Sequence, residues 1–91
     1  MKIRFLKEAP REFLAAIEYY DRQENGFGQR FETETDRAVL VCPLRRGLYR
    51  RLNLRVFPYY IAYVVRESTL WIVAIAHSRR RPEYWIKRTH Q

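Results

Sequence analysis

The sequence predicts an α+β fold of order β-α-α-β-β-β, with two helices packed on one face of an antiparallel sheet and a short C-terminal helix. Three observations predict it. Apolar residues recur at helical spacing in the first half of the chain. They switch to period two in the second half. A glycine-containing turn divides the helical part in two.

Residues 2–6 alternate, with Ile3 and Phe5 on one side, and read as a first strand. Pro10 suits the first turn of a helix. After it, Phe13, Ala16, Ile17 and Tyr20 follow the i, i+3, i+4, i+7 spacing of a buried face. Asn25-Gly26-Phe27-Gly28 is the turn between helices, because glycine accepts backbone angles that other residues resist. A second helix is expected over 27–41, with Phe27, Phe31, Ala38 and Val41 inward, and Pro43 ends it.

Leu48, Leu52, Leu54 and Val56 then alternate with Tyr49, Arg51, Asn53 and Arg55, which predicts a strand. Phe57-Pro58 breaks it, since proline cannot donate to a central ladder. Residues 59–65 form a strand of aromatic and β-branched residues, and Glu67-Ser68-Thr69 turns the chain. Residues 70–76 are apolar on both faces and belong in the sheet centre. Arg79-Arg80-Arg81-Pro82 leaves the sheet, and 83–88 is the expected terminal helix. The sheet face away from the helices is expected to be partly open and to present the arginines of the strands.

The 91 residues are read as one domain, 1–91, with 47% apolar residues, a composition that folds. No apolar run approaches the ~18 residues of a membrane span, and residues 1–6 are too short and charged for a secretory signal, so the expectation is a cytoplasmic protein. Cys42 is the single cysteine, so an internal disulfide and a Cys-based zinc site are both excluded. It reads as a small buried hydrophobe at a helix end rather than a reactive thiol.

Charge is distributed unevenly. Residues 1–43 carry seven basic and eight acidic side chains, a net −1, whereas residues 44–91 carry eleven basic and two acidic, a net +9. A surface built for solubility mixes the signs. This half hardly does, which points to a polyanionic partner, either nucleic acid or an acidic protein segment. The residues expected to bind it are Arg50, Arg51, Arg55, His77, Arg79, Arg80 and Arg81.

The chain resembles the RelE/ParE superfamily, and the ParE-like branch more closely. The resemblance is carried by Ala16-Ile17-Glu18-Tyr19-Tyr20, Gly26-Phe27-Gly28 and Phe31, then by Tyr49-Arg50-Arg51 and the run from Phe57-Pro58-Tyr59-Tyr60 to Tyr63. Ala74-Ile75-Ala76-His77, Arg79-Arg80-Arg81-Pro82 and Tyr84-Trp85 complete it. It covers nearly the whole chain in the family's order. It implies a cytoplasmic toxin of a type II toxin–antitoxin pair, neutralised by a cognate antitoxin.

The superfamily's two activities imply different targets. A ParE-like toxin inhibits DNA gyrase. A RelE-like toxin cleaves mRNA on the ribosome without a metal, and here its catalytic set would be Arg51, Arg55, Arg81 and Tyr84. That reading lacks its usual parts. The third-strand position where RelE-like enzymes carry an arginine holds Tyr60, and arginines stand in the region of their lysines. Arginine does not give up its proton at ordinary pH, so an arginine cluster makes a poor general base. The ParE-like reading is therefore preferred, with the ribosome and mRNA as the alternative target.

His77 has the ordinary pKa of a proton-transfer group near neutrality. It reads either as a base beside the triple arginine or, preferred, as a ring that hydrogen-bonds the backbone and seals a strand end. Trp85 reads as core, and His90 as tail. Neither histidine has a second ligand at metal spacing, so no metal, no cofactor and no small-molecule substrate are expected.

Overall fold

The structure is a computed structural model that describes residues 2–43 and 49–89. Leu48 and His90, both named above, lie outside them. The elements are β1 (Lys2–Phe5), α1 (Glu8–Gln23), α2 (Phe27–Leu40), β2 (Arg50–Asn53), β3 (Tyr59–Arg66) and β4 (Thr69–His77), then a 3₁₀ turn (Ile86–Thr89). The sheet order is β1-β4-β3-β2. As expected, two helices pack on one face and the strands of residues 70–76 lie centrally. β2, β3 and β4 are antiparallel, and β1 joins β4 in parallel, making the sheet mixed. Parallel neighbours need a long crossover, which the helix pair and the β2–β3 hairpin provide. β3 and β4 meet through a two-residue turn at Glu67 and Ser68, with φ of 49° and 61°. Positive φ at both positions gives the twist that a tight hairpin requires.

The helix side holds an aromatic core. Ala9, Ala16 and Tyr20 of α1 and Phe31 of α2 are buried, with Phe13, Ile17 and Phe27 packed against them. Phe31 meets Tyr20, Phe57 and Tyr59 at ring-centre distances of 5.3, 5.1 and 5.0 Å. The helix turn is fixed by Asp21, whose Oδ1 accepts the N–H groups of Gly26 and Gly28 at 3.1 and 3.2 Å. Gly26 has φ of 88°, a left-handed angle that favours glycine. At Gly28 a Cβ would overlap the carbonyl oxygen of Ile17, so glycine sets how closely the helices approach.

Val41, expected inward, and Val56, expected in the strand, are both exposed. α2 stops at Leu40, which puts Val41 outside the helix and 70% exposed. β2 stops at Asn53, and Val56 is 60% exposed. The cause is Glu34 of α2, whose Oε2 accepts the N–H groups of Arg55 and Val56 at 2.6 and 3.2 Å. That contact draws the chain out of the strand and over α2.

The second face of the sheet is covered, where a partly open face was expected. Tyr60, Ala62, Val64, Val73, Ala74, Ala76 and Trp85 form a second buried cluster, flanked by Leu6, Tyr49, Trp71, Tyr84 and Ile86. Trp85 is 1% exposed. Because β3 and β4 are apolar on both faces, the second face has to be buried, and the C-terminal segment does it. The short terminal helix expected over 83–88 is here a run of turns ending in a 3₁₀ turn, Ile86–Thr89, and Glu83 within the segment has φ of 58°. Ala62 pairs with Ala74 while Tyr63 pairs with Ile72, so Val73 is a β-bulge.

Candidate functional site

The expected site residues fall into two groups. The first lies where β4 gives way to the C-terminal segment. His77 stacks edge-on to Tyr59 at 5.0 Å, and its Nδ1 accepts the N–H of Arg79 at 3.0 Å. The ring therefore seals the strand end, in agreement with the preferred reading. Arg80 lays its guanidinium over the Tyr84 ring at 3.7 Å and sits 3.7 Å from the Glu12 carboxylate. Arg79, Arg80 and Arg81 are exposed. The Tyr84 hydroxyl donates to Glu12 in a short hydrogen bond. Burial, and then this hydrogen bond, push the Tyr84 pKa up from the ordinary tyrosine value. A phenol held this way is a reluctant proton donor.

The second group lies along β2. Arg51 places its guanidinium over the Tyr60 ring at 3.8 Å. The Tyr60 hydroxyl in turn accepts the Trp85 indole N–H at 2.9 Å. Tyr60 is thus a fold residue, 2% exposed, at the position where the RelE-like pattern has its arginine. Arg50 is half-buried at the start of β2. Arg55 lines a groove of about 950 Å³ between α2 and the β2 edge, with Arg30, Arg37, Val41, Leu52 and Val56. Arg55 and Tyr84 accordingly belong to different surfaces.

Two carboxylates went unnoticed in the sequence. Glu12 joins α1, β4 and the C-terminal segment, and Glu34 fixes the β2–β3 loop. Glu12 left a signal. It is spaced three and four residues from Ala9 and Ala16, on the buried side of α1, where a charged residue requires a partner. Glu34 left none, because its partners are backbone groups of a distant loop.

Among the described residues no helix is long and apolar enough to cross a membrane, and no three His, Cys, Asp or Glu side chains gather as metal ligands.

No protein-family model matches the chain, and no curated protein matches it. Among solved structures, one described as the chromosomal ParDE TA system from P. aeruginosa contains a chain of the same fold, with a TM-score of 0.72. The two chains are 16% identical, and the match covers 85% of this chain and 95% of that one. At this identity the likeness is one of fold.

Proposed function

We propose that this chain is the ParE-like toxin of a type II toxin–antitoxin pair, acting in the cytoplasm by inhibiting DNA gyrase and neutralised by a cognate antitoxin. The observation that carries the reading is the fold shared over most of both chains with the ParDE system. It agrees with the ordered set of motifs that carries the sequence resemblance.

The state of Tyr60 and Tyr84 favours gyrase over mRNA as target. RNA cleavage by a 2′-hydroxyl needs a base, cations over the phosphate and an acid for the leaving oxygen. Tyr60 is buried against Trp85, Arg51 lies on the Tyr60 ring, and the Tyr84 hydroxyl is engaged by Glu12. Of the nuclease set, Arg81 is exposed without a side-chain partner among the described residues, and Arg55 faces a separate groove. These arginines suit contact with an anionic surface better than proton transfer.

The antitoxin segment is assigned to the α2/β2 groove. Its apolar lining, Leu52, Val41 and Val56, suits the apolar face of a helix, and Arg30, Arg37 and Arg55 suit acidic residues beside it. Purified protein is expected to block supercoiling by gyrase and to leave mRNA intact in a translation extract. Cleaved mRNA with unimpaired supercoiling would turn the assignment to the nuclease branch. Normal growth on expression without an antitoxin would remove both toxin readings.

A further inference from the structure

Beyond Phe5 the β1 strand ends, and the outer backbone of β4 loses its strand partner. Side chains replace it there. Glu12 Oε1 accepts the Ile75 N–H at 3.1 Å, and Arg88 donates from Nη1 to the Val73 carbonyl, the bulged residue, at 3.1 Å. Glu12 and Arg88 also bind each other through both nitrogens and both oxygens, at 2.9 Å each. Their side chains are only 15% and 16% exposed. A fork-to-fork pair of this kind fixes direction as well as distance.

The same carboxylate holds the C-terminal segment at two further points, the Tyr84 hydroxyl and Arg80. Arg88 lies 5.1 Å over the Tyr84 ring, so the four side chains form one cluster. Apart from Glu12, the segment is held by the burial of Trp85 and by local turn bonds. Outside the 3₁₀ turn itself, its described backbone bonds are local turn contacts: Arg80 to His77, Tyr84 to Arg81, Ile86 to Glu83 and Arg88 to Trp85. Turns this short do not persist alone in water. Trp85 anchors its middle. Glu12 anchors both ends, at Arg80 and at Arg88.

We infer that the exposed Arg79–Arg81 row is the surface that meets the target and that Glu12 is its positioning residue, fixing the row against the body of the protein through Arg80, Tyr84 and Arg88. The inference rests on the toxin reading given above. Glu12 touches no target itself. Its effect is to convert three exposed arginines on a turn into a surface of fixed shape. The antitoxin groove lies at the other edge of the sheet, against α2 and β2, so the two functions are separable at this residue.

The test uses the full chain with Glu12→Gln, which keeps the size and an acceptor oxygen but removes the charge. Three quantities are read: gyrase inhibition, affinity for the purified antitoxin, and amide hydrogen exchange resolved along the chain. The expected result is at least a tenfold loss of gyrase inhibition, antitoxin affinity within about twofold of wild type, and faster exchange confined to residues 79–89. Arg88→Lys keeps the charge and loses the fork, and it is expected to show a smaller loss of the same pattern; it serves if Glu12→Gln does not fold.

A variant with a loosened segment and full gyrase inhibition overturns the positioning role. So does a parallel loss of antitoxin affinity and gyrase inhibition, the mark of general damage. A wild-type protein inert toward gyrase overturns the gyrase reading, and the positioning role with it. The exchange data then still show whether Glu12 anchors the segment.

Discussion

Where β1 ends beside Phe5, the outer backbone of β4 is met by Glu12 and Arg88, whereas along β2 the outer backbone of Arg51 and Asn53 meets none of the described residues. The Leu54 N–H bonds to Tyr59, and antiparallel alternation then turns Arg51 and Asn53 outward. Unpaired strand edges invite another chain, and proteins block those they do not use. Here one edge is closed by the protein's own ion pair, at the surface proposed for the target. The other meets no partner among the described residues and lies beside an apolar, arginine-flanked groove, at the surface proposed for the antitoxin. Just past the groove end of β2 a side chain, Glu34, takes up the backbone N–H groups of Arg55 and Val56.

The largest test of this contrast is at the centre of the C-terminal segment. Trp85→Ala removes a fully buried ring and strands the Tyr60 hydroxyl. The expected cost is about 3–5 kcal/mol, most of the stability of a small domain, read by urea unfolding. A change below about 1 kcal/mol would mean that the segment merely rests on the second face.

The helix-side core was legible in the sequence because period does the work. Phe13, Ala16, Ile17, Tyr20 and Phe31 have helical spacing, and all of them pack where spacing puts them. The second face was less legible. Residues 70–76 are apolar on both sides and so need a cover on each, yet the expectation was a partly open face, because the segment that does the covering is irregular and has no period. Val56 failed for a related reason: alternation continues through it in the sequence, and a contact with α2, distant in the chain, ends the strand first. Of the site, the arginines and the sealing role of His77 could be read from charge and position. Glu12 was hidden in the charge count of the first half.

Glu34→Ala sharpens the comparison from the other edge. It frees the N–H groups of Arg55 and Val56 without opening a cavity in the core. The expected cost is about 1 kcal/mol, with faster hydrogen exchange at both amides. Glu12→Gln, by contrast, loosens the far edge and leaves these amides protected. If each variant disturbs both edges, the edges are one cooperative unit and the division of roles fails.

Val56→Asp acts on binding alone. The side chain is 60% exposed and lines the groove, so the stability change is expected within about 0.5 kcal/mol. A carboxylate here repels an acidic antitoxin segment and breaks its apolar contact. The expected result is at least a tenfold weaker antitoxin complex, measured calorimetrically, with gyrase inhibition retained. Undiminished antitoxin binding would move the docking surface away from the β2 edge.

The smallest effect concerns Cys42, just beyond α2 near the groove. Its Sγ donates to the Ala38 carbonyl at 3.5 Å, and burial pushes the thiol pKa from an ordinary 9.0 up to about 11. A raised thiol pKa means that the folded protein holds its proton more tightly than the unfolded chain. The stabilisation is therefore fully present below about pH 9 and is lost as pH rises toward 11. Buried Tyr20 and Tyr63 and half-buried Tyr59 are also raised, chiefly by desolvation, and steepen the same decline. Melting temperatures of wild type and Cys42→Ala, taken across this window, isolate the thiol: the gap between them should narrow as pH climbs. Slow alkylation of the native thiol at neutral pH should accompany it. Rapid alkylation would show that the end of α2 opens readily, and the groove beside it would then be formed by the antitoxin rather than waiting for it.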